Sequence, residues 1–169
     1  MAQTGIISQD DRVELLDGEV VEMTPIGPRH AACVRDLTAL LLRRLGDRAL
    51  INPQNPLQIG DRSELYPDLA VLRLRPDRYR ERNPGAADVL LLIEVAETSA
   101  EHDRMVKLPR YARAGIPEVW LVNLRGEHVQ VFRQPTEQEY QSTVAYGRGQ
   151  QVACGAFPDA LFTVDDILS

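Results

Sequence analysis

The residue whose position most demands a chemical explanation is Glu94, set inside VLLLIEVA, an apolar run in which a strand buried on both faces should carry no charge. The preceding apolar segment, YPDLAVLRL, opens with a second acid, Asp68. If the two segments pair as an antiparallel hairpin with its loop centred near Glu81, positions 68 and 94 fall opposite each other. Opposed side chains have Cβ atoms about 4.5–5.5 Å apart, so two like charges there are destabilising unless a cation sits between them. Two carboxylates and a nearby backbone carbonyl, that of Val95, form a hard oxygen set suited to Mg²⁺ or Mn²⁺. The plainer reading makes Pro67-Asp68 a strand-opening turn and pairs Glu94 with an arginine from the first helix or the 73–82 loop.

Lys107 lies on the segment that follows the Glu94 strand, with Asp103 one helical turn earlier and Tyr111 one turn later on the same face. On an isolated helix, Asp103 and Lys107 would form an ordinary surface ion pair. Here the helix leaves the candidate metal strand. A lysine bent back toward the metal orients an attacking water and stabilises charge on a transferring phosphoryl group, as phosphodiester hydrolysis requires. His30, at the start of the first helix, and Glu22, at the end of the first hairpin, are further candidates to flank the pocket, although a lone His or Glu is more often structural. His102 and His128 have no ligand partners at useful spacing, and Trp120 reads as core. No GxSxG, P-loop or GxGxxG is present, so serine-hydrolase and nucleotide-binding chemistry have no residues to rest on.

These residues need a scaffold, and the pattern supplies one. RVELLDGEVVEMTP reads as a hairpin about Asp17-Gly18, a dipeptide suited to tight turns. Pro28 opens a helix whose apolar stripe is Cys33, Leu37, Leu40, Leu41 and Leu45, ending at Gly46. ALINPQNPLQI, YPDLAVLRL and ADVLLLIEVAE follow as three strands. Thr98 and Glu101 have capping-box spacing for a second helix over 99–114, which Pro109 kinks or restarts. EVWLVN and HVQVFR form a hairpin about Arg125-Gly126, and YQSTVAYGRGQQVA adds one or two strands before a short tail. The order predicts an α/β domain, a mixed sheet flanked by helices.

Bulk properties bound the function. The 169 residues, 44% hydrophobic, suit one domain spanning 1–169. Apolar runs such as LTALLL fall short of the roughly 20 residues that cross a bilayer, and MAQTGIISQDDRVEL is no secretory signal. Cys33 and Cys154, far apart and without CxxC spacing, read as packing residues in a reducing, cytoplasmic compartment. Asp+Glu 25 against Lys+Arg 19 gives a net charge of −6, which opposes long-range attraction of nucleic acid. A nuclease needs only a local basic rim, and the arginines of VLRLRPDRYRERN could supply one beside the site.

YPDLAVL, LLIEVAETS, HDRMVKLPRYARAGIPEVWLV and LLDGEVVEMTPIGPRH together resemble the Uma-type endonuclease family, long catalogued as a domain of unknown function. The resemblance runs from about Val13 to the end and implies a restriction-endonuclease-like fold with a PD-(D/E)XK metal site. Pro67-Asp68 matches the PD element and Glu94 the acid of the second element. That element's lysine would fall at position 96, which is Ala96, so its role passes to Lys107, as in nucleases with a migrated lysine. The resulting expectation is a Mg²⁺-dependent DNA endonuclease with Asp68 and Glu94 on the metal, assisted by Lys107, acting as a homodimer by analogy with nucleases of this fold. The rival expectation is a catalytically inactive binding or assembly module that keeps the nuclease fold.

Overall fold

A computed structural model describes residues 13–23, 26–97 and 100–169, with backbone only for 100–104. Thr98 of the capping-box pair, Pro25 and the side chains of Glu101 and Asp103 lie outside the described parts.

The N-terminal hairpin joins β1 (Val13–Leu16) to β2 (Glu19–Glu22). Asp17 and Gly18 both have positive φ, 52° and 88°, the turn geometry whose twist matches paired strands. Helix α1 (Pro28–Leu45) starts on Pro28, whose missing N–H costs nothing in a first turn, and ends at Gly46. Its buried stripe contains the expected residues together with His30 and Val34.

The ALINPQNPLQI segment divides. Its first half is β3 (Leu50–Pro53), in the main sheet; its second is β4 (Leu57–Gln58), which pairs with a short β5 (Glu64–Leu65) and, through it, with the hairpin. The sequence gives β5 only two residues and little signal. Strands β6 (Leu69–Leu72) and β7 (Val89–Ala96) pair antiparallel, with Leu69 opposite Ile93 and Ala70 opposite Leu92. Extending that register by one residue sets Asp68 level with Glu94.

Helix α2 (Ala100–Arg113) runs through Pro109 without interruption, where a restart was one of two expectations. It carries the chain across to β8 (Glu118–Asn123), which lies parallel to β7. β9 (His128–Pro135) and β10 (Tyr140–Gly147) complete a six-stranded mixed sheet in the order β10-β9-β8-β7-β6-β3. The tail is more ordered in shape than expected: β11 (Gln151–Ala153) pairs with β12 (Leu161–Thr163), and the short α3 (Val164–Ile167) packs against α1.

Alternation along β7 sorts the core into two layers. Leu91, Ile93 and Val95 face α1 and the tail; Leu92 and Ala96 face α2 and the small β-hairpin sheet. Glu94 shares its face with Leu92 and Ala96, so it points into the second layer. Among the described residues no helix is long and apolar enough to cross a membrane.

Candidate active site

Where β6 begins and β7 ends, side chains from five elements converge. Glu94 is 3% exposed and Glu14, from β1, is 4% exposed, so each charge needs a partner inside the protein. Lys107 of α2 supplies it. Its ammonium lies 2.8 Å from Glu14 Oε1, 2.7 Å from Glu14 Oε2 and 3.9 Å from Glu94 Oε1. The Tyr111 hydroxyl, one turn further along α2, donates to Glu94 Oε1 at 2.6 Å. Glu14 also accepts the Tyr66 backbone N–H at 3.0 Å, which ties β1 to the approach to β6.

Asp68 is held separately. Its Oδ2 accepts the Val95 backbone N–H at 2.8 Å and meets His30 Nε2 at 3.0 Å. His30 occupies the first turn of α1, so the helix start and the strand end are fastened through one carboxylate oxygen. Tyr111 senses all three acids. Burial first, then the charge and hydrogen bond of Glu94 and the charges of Glu14 and Asp68, hold its phenol well above the usual tyrosine range.

Among the described side chains the site therefore sets Glu14 and Glu94 against the Lys107 ammonium, with Asp68 on His30 and the Val95 N–H. The carboxylates are hard oxygen donors, and Asp68 and Glu94 are the pair that could hold a divalent cation. Among the described residues no group of three His, Cys, Asp or Glu is arranged to hold an ion by itself. Such a pair suits Mg²⁺, which keeps several waters and is commonly held by one or two carboxylates together with substrate phosphate.

A family model described as "Putative restriction endonuclease", Uma2, matches residues 2–165. The chain belongs to the Uma2 family. Among solved structures, a "putative nuclease belonging to DUF820" from Anabaena variabilis ATCC 29413 superposes with a TM-score of 0.79 at 15% identity, covering 98% of this chain and 94% of that one. The likeness shows a shared fold. The type IIG restriction endonuclease BpuSI aligns at a TM-score of 0.46 and 16% identity, over 90% of this chain and 19% of its own. No curated protein matches the sequence.

Within this Uma2 chain the structure brings together Asp68, Glu94, Lys107, His30 and Tyr111. Glu22 does not join them: it is exposed on β2, whose residues all face outward. The hairpin's contribution comes instead from Glu14 on the other strand, which sequence reasoning missed. Glu14 shares a face with the buried Leu16, but Val13 and Leu15 make the other face of β1 equally apolar in sequence. The rival partner for Glu94, an arginine from α1 or the 73–82 loop, is replaced by Tyr111 and Lys107. The arginine-rich loop does not rim the site either. It joins the far ends of β6 and β7, away from Asp68 and Glu94.

A second buried acid shows why burial alone does not mark the site. Glu118 of β8 is fully engaged by Trp120 Nε1 at 2.6 Å, Gly155 N–H at 2.7 Å and Arg133 Nη2 at 3.1 Å. It clamps β8 and β9 to the tail.

Proposed function

We propose that the protein is a Mg²⁺- or Mn²⁺-dependent endonuclease that hydrolyses phosphodiester bonds of DNA. The observation that supports this most directly is the placement of Lys107 beside the buried Glu94 and Glu14, with Asp68 level with Glu94 on the neighbouring strand. Among the described side chains Glu14 and Glu94 share the Lys107 ammonium and Asp68 meets His30, and a divalent cation between Asp68 and Glu94 would be stabilised by this concentration of acids.

Asp68 and Glu94 would hold the ion, with the Val95 carbonyl as a third oxygen. Main-chain geometry favours that carbonyl. The Ala96 carbonyl accepts from Leu124 N–H on the β8 side, so alternation turns the Val95 carbonyl toward β6. The register there brings Pro67, a residue with no N–H to offer. When bound, the cation supplies Lewis-acid activation of the attacking water and of the phosphoryl oxygens.

The protein's own groups do the rest. Tyr111 fixes the orientation of Glu94, while His30 and the Val95 N–H fix that of Asp68. Lys107 presents positive charge where negative charge grows on the phosphoryl group, and Glu14 positions it. This assigns to the helix the role that position 96, an alanine packed in the core, does not perform.

Duplex and single-stranded DNA incubated with Mg²⁺ or Mn²⁺ provide the test. Wild-type protein cuts, whereas Glu94→Ala and Lys107→Ala proteins remain folded and do not; undiminished cutting by either variant removes the mechanism. The rival reading, a binding or assembly module without catalysis, draws support from the net charge of −6 and from Ala96. Calorimetric titration with Mn²⁺ separates the two, since the rival expects no heat that depends on Glu94. We also place the protein in the cytoplasm, as the unbridged, buried Cys33 and Cys154 suit a reducing compartment. Its working form is read as a homodimer by analogy with nucleases of this fold.

A further inference from the structure

The loop between β6 and β7 carries five arginines in ten residues, Arg73, Arg75, Arg78, Arg80 and Arg82, on a chain whose net charge is −6. Three of them are used internally, Arg73 through its Nε, which donates to the Ala87 carbonyl at 3.2 Å. Arg75 pairs with Asp77 at 2.9 Å and Arg82 with Asp88 at 2.8 Å, and their guanidinium carbons lie 5.3 and 5.9 Å from the Tyr79 ring. The Tyr79 hydroxyl donates to the Arg73 carbonyl at 2.7 Å. The loop is thus stapled around one aromatic ring.

Arg78 and Tyr79 both adopt positive φ, 50° and 59°, a conformation that side chains other than glycine rarely accept. Arg78 and Arg80, on either side of the buried-edge Tyr79, project outward and are exposed. Two ion pairs, two cation–π contacts and a strained backbone therefore fix a loop whose exposed residues include Arg78 and Arg80, with Glu81 beside them. A disordered basic segment would need none of these. Guanidinium groups carried on a fixed backbone suit a partner with closely spaced anionic oxygens.

Tyr79 packs on the same core layer as Tyr111, so the loop and the Glu94–Lys107 pocket lie on one side of the main sheet. Five residues separate Asp68 from Arg73; at ~3.3 Å each the separation is about 17 Å.

We propose that Arg78 and Arg80 form a phosphate-backbone anchor that grips nucleic acid away from the point of cleavage. The inference rests on the nuclease reading above and adds to it a second, non-catalytic contact. It also removes a difficulty of that reading, since the acidic pocket repels DNA and needs an attractive contact elsewhere.

The test measures binding without cutting. Full-length protein is titrated in EDTA against a fluorescent duplex of about 30 base pairs over a series of salt concentrations. The Arg78→Ala/Arg80→Ala protein should bind about tenfold more weakly at low salt. Its log–log salt slope should fall by about 1.8, at ~0.9 per lost phosphate contact. Arg78→Lys/Arg80→Lys should keep most of the affinity, and thermal melts should coincide because both side chains are exposed. A duplex too short to reach the loop should not distinguish the proteins. If wild-type protein binds the long duplex and the alanine protein matches it in affinity and slope, the anchor is overturned while the nuclease reading stands. If wild-type protein binds no duplex at any salt concentration, both fall.

Discussion

The ammonium of Lys107 lies 2.7 Å from Glu14 Oε2 and is mostly enclosed, so a helix residue and a hairpin residue share one buried charge pair. Truncating Lys107 to alanine leaves the buried Glu14 without that cation. A buried pair broken on one side costs about 3–5 kcal/mol. The lower end applies here because the lysine retains some exposure. Urea denaturation should show this loss, with the protein still folded in the absence of denaturant, and Lys107→Ala should show no cleavage. A midpoint unchanged from wild type would mean the pair carries no energy.

Tyr111 makes a different kind of contribution. Tyr111→Phe removes the donor to Glu94 Oε1 but keeps the ring in its layer of core. Leaving a buried acceptor short of a donor costs about 1–3 kcal/mol. If the hydroxyl fixes the orientation of Glu94, kcat should fall about tenfold with KM little changed. A rise in KM alone would place the hydroxyl in substrate binding instead.

Metal binding should register as stability. Mn²⁺ at about 100 times its Kd should raise the unfolding free energy by about 2.7 kcal/mol, and EDTA should reverse the gain. Asp68→Asn should abolish most of it. Equal stabilisation of wild type and Asp68→Asn would show that the ion binds elsewhere.

Alkaline stability follows from the thiols. Burial, reinforced by the charges of Asp36 and Asp68, pushes Cys33 up to about 12; burial and the charge of Glu118 push Cys154 up to about 11. Both folded-state values lie above the ordinary 9.0. The folded state therefore keeps its protons where the unfolded state gives them up. This contribution is complete below pH 9 and is lost as pH rises toward 11 to 12. Denaturation midpoints for Cys33→Ala/Cys154→Ala should lose less between pH 9 and 11 than those of wild type. The same burial predicts slow thiol labelling at pH 8 without denaturant.

Much of the scaffold was legible because its determinants are local. Asp17-Gly18 specifies a turn, Pro28 and Gly46 bracket a helix, and the long apolar run around Glu94 specifies an interior strand. The register of β6 with β7 could be read because a single loop connects them. Contributions without local signal were missed. β5 has two residues, and the tail forms β12 and α3 through pairing with β11 that no short-range pattern announces. Glu14 was overlooked because apolar residues flank it on both sides, so alternation alone left the buried face of β1 ambiguous; only the fold places it against Lys107. Glu118 shows the converse, a strand acid as deeply buried as Glu94 whose partners make it a structural clamp.

The contacts that define the pocket join residues far apart along the chain. His30 meets Asp68 across 38 positions, Asp68 meets Val95 across 27, and Glu14 meets Lys107 across 93. During synthesis the hairpin leaves the ribosome long before α2 exists, and no earlier fragment holds the ammonium among the acids. The proposed site thus comes into being only when the last of these distant segments has docked.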